Sequence, residues 1–230
     1  MRRLIVIFAI CAGVLWGGPA GADSVDAADA AVFDRAWAAF KRGDLAEAWD
    51  GFDVAARNFL GSMYEDGVVV SRDYVEAVKW YRQAAERGVA EAQVNLGFMY
   101  AEGRGVSRDY GEAMKWYRQA ARQGAAKAQL NIAIMYQNGW GVAEDDAEAL
   151  KWTRKAARQG YADAQLNLGF RYAKGQGVAR DLVRSHMWSN LAAAQGAEMA
   201  MDNRAIVAAT MTPDQIAEAQ RLARDWKPGE

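Results

Sequence analysis

Apolar and polar positions alternate at helical spacing in two kinds of stretch. Between Ala90 and Glu102, Ala92, Leu96, Gly97 and Tyr100 share one face, the mark of a buried helical stripe. Gly103-Arg104-Gly105-Val106 interrupts it, because glycine takes positive φ cheaply and ends helices. A second stripe starts at Asp109 and runs through Ala113, Trp116, Tyr117, Ala120 and Ala121 until Gly124. The pattern predicts a unit of helix, glycine turn, helix and short turn. With three prolines in 230 residues and abundant Ala, Gln, Glu, Lys and Arg, the composition favours helix throughout.

The unit recurs with a step of 36 residues: Trp80, Trp116, Trp152 and Trp188 keep it, as do Gly88, Gly124, Gly160 and Gly196. Tyr64, Tyr100, Tyr136 and Tyr172 share the step, and so do Asp73, Asp109, Asp145 and Asp181. A fixed period of this size means one small unit stacked several times, which buries a continuous core and offers an extended surface. Trp paired with the small Ala84-Ala85, Ala120-Ala121 and Ala156-Ala157 lets helices approach closely beside a large filler. The regular step places the tryptophans in the core, at about 2–4 kcal/mol each when well packed.

These residues resemble a known family. The recurring string AQ-x-N-[LI]-[GA]-x-x-Y-x-x-G-x-G-V, then D-x-x-EA-x-KW and AA-x-x-G, is similar to the Sel1-like repeat, a relative of the tetratricopeptide repeat. Residues 61–88 and 97–124 agree at 19 of 28 positions. The resemblance implies an all-α, right-handed solenoid of antiparallel helix pairs, and a protein–protein interaction or scaffolding role in a bacterial envelope. It gives residues 23–60 as a degenerate capping repeat and 61–196 as repeats: a partial one at 61–88, then 89–124, 125–160 and 161–196. Residues 197–230 follow as capping helices.

Irregularities sharpen that layout. Asp44 to Asp73 is 29 residues rather than 36, so seven are missing between Ala56 and Gly61. A shortened first helix near Phe59, or a distorted junction at Ala56, is expected. Val69 replaces the glycine found at 105, 141 and 177, so that turn should differ. Near the C-terminus, Thr212-Pro213-Asp214-Gln215 reads as a capping box with proline at the first helical position.

The N-terminus reads as an export signal: Arg2-Arg3, an apolar run of 13 residues from Leu4 to Trp16, and a small-x-small site at Ala20-Gly21-Ala22. Cleavage after Ala22 is expected, giving a periplasmic or secreted chain with no stable membrane span, since spanning takes about 20 residues. It would also remove Cys11, the only cysteine, and with it any disulfide.

Candidate chemistry is sparse. The formal net charge of -1 leaves no basic excess for nucleic acid. One histidine, His186, stands where other repeats have Val78, Met114 and Leu150, and reads as a partly buried helix residue. No metal site, cofactor or catalytic residue is expected from this inventory, and the chain reads as a non-enzyme. The Gly-x-Gly turns follow helices rather than strands, so they do not form a dinucleotide fingerprint. Acids such as Asp145-Asp146 begin helices, where they complement the dipole.

The surface offered for a protein partner is the concave side that the resemblance assigns to the first helices. With Leu96, Gly97 and Tyr100 buried, the exposed face carries Glu91, Val94, Phe98 and Glu102. The next two repeats supply Lys127, Leu130, Ile134 and Asn138, then Asp163, Leu166, Phe170 and Lys174. The middle of this stripe is apolar with charged flanks, a partner-binding signature suited to an extended peptide or amphipathic helix. Two readings of it stay open: a binding groove, or packing against the neighbouring helix. Rival functions are an envelope protein that binds or hydrolyses peptidoglycan, and a chaperone-like holder of exported chains. Trp140, in the turn Gly139-Trp140-Gly141, is a second contact candidate or folds back on the adjacent helix.

Overall fold

The computed structural model describes residues 45–67 and 71–229. Among them are ten helices and no strand. They are α1 Leu45–Asp66, α2 Tyr74–Glu86, α3 Ala90–Glu102, α4 Tyr110–Arg122 and α5 Ala126–Asn138. Then come α6 Asp146–Arg158, α7 Ala162–Lys174, α8 Leu182–Ala194, α9 Glu198–Ala208 and α10 Pro213–Asp225. The signal segment, residues 23–44 and the Val69 turn lie outside the described residues. The described residues fall into two compact units, which divide between Asp109 and Tyr110.

In the first unit, α1 is one continuous helix of 22 residues, while α2 and α3 have 13 each. Neither a shortened helix nor a break occurs at Ala56. The seven missing residues are those that would have turned the chain, and Ala55-Ala56-Arg57 are good helix formers, so the helix runs through. Gly61 lets α1 meet α2: a Cβ there would lie 2.5 Å from the Tyr81 ring, which is 1% exposed. The Tyr81 hydroxyl donates to Glu65 at 2.7 Å, and burial followed by that bond pushes its pKa well up.

In the second unit the units of helix and turn repeat with little change. Asp145 caps α6 by accepting from the Ala147 and Glu148 amides at 2.9 and 3.0 Å. The Asp145 amide in turn donates to the Tyr136 carbonyl, as the Asp181 amide does to Tyr172, which explains the fixed Tyr-to-Asp spacing. Leu130, Leu150, Ala156, Ala157, Ala164, Leu168 and Tyr172 form the core, with Ile134 and Trp188 packed against it. Trp116, Trp152 and Trp188 are half-buried, so they roof the core rather than fill it. The small residues and the Leu and Tyr side chains do the filling.

The second glycine of each turn does more than reverse the chain. Gly177 sits at φ +68, and a Cβ there would lie 2.4 Å from the Asp146 carbonyl oxygen. A Cβ on Gly141 would likewise lie 2.9 Å from the Tyr110 carbonyl oxygen. Each turn therefore seats on the first residue of the preceding second helix, a contact only glycine allows.

The repeat continues past Gly196. α9 begins at Glu198, 36 residues after α7 begins at Ala162, so it is another first-type helix. α10 completes the pair, with Thr212 and Gln215 bonding each other's backbone amides and Pro213 opening the helix.

Candidate functional site

Each unit carries candidate residues on its own first-type helices. In the first unit, Glu91 on α3 is half-buried and accepts from the Asn58 side-chain amide at 2.9 Å. Val94 is 2% exposed. Phe98 is half-buried beneath the Arg104 guanidinium, 5.0 Å from its ring centre, and Glu102 is exposed. Arg104 also lies over Tyr74 at 5.6 Å and 3.8 Å from Glu65.

In the second unit, Lys127 is exposed but Leu130 is 7% exposed and belongs to the core cluster. Ile134 is half-buried; Asn138 is exposed and donates to the Ile134 carbonyl at 2.8 Å. On α7, Asp163 and Lys174 are exposed and Phe170 is half-buried. Leu166 packs against Ala192, Ala193 and Ala200. Val94 and Leu130 go to packing, and Ile134, Leu166 and Phe170 keep part of their surface in water.

Two side chains on this face escaped the sequence reading. Met199 and Ile206 of α9 are 63% and 70% exposed. They stand 36 residues after Asp163 and Phe170, so adding one more step past Gly196 would have found them. The most exposed apolar part of the face is therefore on the last first-type helix.

Two polar groups on other faces were also placed. Arg171 is 1% exposed, where α3 and α5 have Met99 and Met135. Its guanidinium donates to Asn167 and Asp146, each at 3.1 Å, and to Gln137 at 2.7 Å. His186 is 4% exposed, and its Nδ1 is buried without a hydrogen-bond partner. Burial, then the Arg204 charge, holds its pKa below the usual 6.5. Trp140 is 39% exposed and stacks on Tyr110, with ring centres 5.3 Å apart and planes at 11°.

Among the described residues no group of His, Cys, Asp and Glu is arranged to hold a metal ion. No described helix is long and apolar enough to cross a membrane.

The Sel1 repeat model matches residues 54–89, 90–124, 126–161 and 162–196, more than half of the chain. The chain belongs to the Sel1 repeat family. Its fold class is the all-α solenoid of those repeats. A Sel1 repeat protein from Oxalobacter formigenes is similar at 30% identity and TM-score 0.66, over 84% of this chain and 83% of that one. The protective antigen c5321 of uropathogenic Escherichia coli, which has the same repeat fold, is 28% identical at TM-score 0.52. That match covers 79% of this chain and 47% of c5321. No curated protein matches the chain. Sel1 repeats generally mediate protein–protein interaction, and the family is typically a non-enzymatic scaffold.

Proposed function

We propose that this Sel1 repeat protein is an exported scaffold, without catalytic activity, that holds one segment of a partner protein against the first-helix face of α5, α7 and α9. The observation that carries the reading is the row of Ile134, Phe170 and Ile206 at repeat-equivalent positions, half-buried at the first two and 70% exposed on α9, where Met199 is 63% exposed. Burying apolar surface of this kind yields about 25 cal/mol per Å², and the polar flanks Asn138, Asp163 and Lys174 set orientation. Export is supported by the Arg2-Arg3, Leu4 to Trp16 and Ala20-Gly21-Ala22 pattern, and an exported scaffold would act in the cell envelope.

In-cell photocrosslinking tests it. A crosslinking residue at Phe170 or Ile206 should capture the same one or two proteins, and one at Lys151, on a second helix, should not. The Phe170→Asp, Ile206→Asp double variant should keep its circular dichroism and lose the partner. Equal capture at all three positions, or an unchanged partner set in the variant, sinks the reading.

A second reading, binding of an envelope glycan, has one specific observation in its favour: the exposed Trp140 face backed by Tyr110. Aromatic faces suit the apolar side of sugar rings. Pull-down on purified peptidoglycan with wild type and Trp140→Ala separates the two.

A further inference from the structure

α10 ends at Asp225, and the chain then folds back over the second helices. Trp226 lies edge-on to Trp188 of α8, with centroids 6.0 Å apart and planes at 71°. Its Cη2 atom comes within 3.8 Å of where a Cβ on Gly160 would stand. Three residues on, the Gly229 amide donates to the Arg158 carbonyl, near the C-terminal end of α6, at 2.7 Å. The Trp226 indole nitrogen is buried without a hydrogen-bond partner, so aromatic burial rather than its N–H holds the ring. Tryptophan, a bare glycine and a terminal helix carbonyl thus form a seat for a tryptophan-bearing tail.

The same three elements occur one step earlier in the same unit. Trp152, Gly124 and Arg122 precede Trp188, Gly160 and Arg158 by 36 residues each. At this earlier copy, nothing lies within 4 Å of a Cβ built on Gly124. Trp152 is half-buried; the Ala120 and Ala121 carbonyls accept from the Gln123, Gly124 and Ala125 amides, and the Arg122 carbonyl stands where the Arg158 carbonyl stands in the occupied copy. Its surroundings differ in charge. Lys155 holds its ammonium 5.3 Å from the Trp152 ring centre, where the occupied copy has Leu191. Arg122, at the end of α4, is exposed. In sequence the tail reads Asp225-Trp226-Lys227-Pro228-Gly229-Glu230, with an acid on each side of its tryptophan and one lysine between them.

We propose that the surface formed by Trp152, Gly124, Arg122 and Lys155 docks an acidic, tryptophan-bearing extended peptide of a partner protein, in the way the chain's own tail docks on Trp188 and Gly160. The partner's indole packs edge-on to Trp152 over the bare glycine. Its backbone N–H bonds the end of α4, and its carboxylates face Arg122 and Lys155. This site uses second helices only, so it is independent of the first-helix face.

The probe is a fluorescein-labelled peptide of residues 225–230 carrying Lys227→Glu, titrated into the full-length chain by fluorescence anisotropy. One equivalent should bind. The Arg122→Glu, Lys155→Glu double variant changes only exposed side chains; with unchanged circular dichroism, it should bind at least tenfold more weakly. A peptide that also carries Trp226→Ala should lose at least as much. Deleting residues 226–230 from the protein should add a second equivalent at the vacated copy. The proposal is overturned if the full-length chain binds no peptide, if binding appears only after that deletion, or if the double charge reversal leaves affinity unchanged.

Discussion

Replacing Arg171 by methionine should leave the protein as stable as before, or make it more stable by up to about 2 kcal/mol. Arg171 is 1% exposed, yet the carboxylate it pairs with, Asp146, keeps 44% of its side-chain surface in water. The guanidinium has therefore lost its hydration almost completely while its counter-charge remains screened. Exchanging a buried ion pair for well-packed apolar groups is commonly neutral or stabilising by about 1–4 kcal/mol. Methionine already fills this position at Met99 and Met135, which are 0% and 2% exposed, so the site can accept its shape. Asp146, Gln137 and Asn167 all retain access to water and can rehydrate once the guanidinium is gone. The converse change is costly. Asp146→Ala leaves the buried cation facing only the amide oxygens of Gln137 and Asn167, a loss of about 3 kcal/mol. Removing an acid from the first turn of α6 adds roughly 0.5 kcal/mol. Urea titration followed by far-ultraviolet circular dichroism measures both variants, and hydrogen exchange in α5 to α7 confirms where the change acts. The reasoning fails if Arg171→Met loses more than about 2 kcal/mol, because the three hydrogen bonds would then outweigh the desolvation of the charge.

Other predictions follow from single contacts. Gly177→Ala and Gly196→Ala share a positive φ, which costs about 1–2 kcal/mol. Gly177 alone of the two faces a carbonyl, at 2.4 Å, so it should lose a further 1–3 kcal/mol or so in thermal melts; equal losses would discard the seating role of the turn. His186 has its folded pKa below that of the unfolded chain, whose ordinary value is 6.5. The unfolded state takes the proton first, so stability is full above about pH 6.5 and declines as pH falls below it. His186→Leu, which restores the apolar type of Leu150, should flatten that dependence in pH-dependent melts; an unchanged slope refutes it. N-terminal sequencing of the chain recovered from its host should begin at Asp23, and a sequence starting at Met1 removes the export reading.

The helices and turns were legible because period and chemistry agree at every repeat: an alanine-rich stripe, a Gly-x-Gly break, an aspartate cap. The fused α1 was not, because a seven-residue gap tells where the register slips but not whether the shortened chain turns. Helix propensity across Ala55 to Arg57 decided that. Register also placed Val94 and Phe98 on one face without saying how far the neighbouring elements reach, and so Val94 is covered while Phe98 keeps part of its surface. Arg171 reads as a solvent residue in Gly169-Phe-Arg-Tyr172. Nothing local shows that Gln137 and Asp146, 34 and 25 residues earlier, supply its hydrogen bonds. Met199 and Ile206 were legible in principle, since the step of 36 reaches them, but with the Tyr and Gly markers lost after Gly196 the two last helices read as caps rather than as a continuation of the step.

Because each repeat touches only its neighbours, the two faces can be separated experimentally. Phe170 and Ile206 lie on α7 and α9, while Arg122 and Lys155 lie on α4 and α6; the two pairs share no hydrogen bond or ion pair among those described. Changes at sites without shared partners add to within about 0.5 kcal/mol. The Phe170→Asp, Ile206→Asp variant should therefore bind the acidic tryptophan peptide as wild type does. The Arg122→Glu, Lys155→Glu variant should likewise keep the crosslinks formed at Phe170 and Ile206. If either variant abolishes the other activity while circular dichroism stays intact, the faces are coupled. One partner would then wrap both, and the chain would act as a clamp around a single protein rather than as a bridge between two.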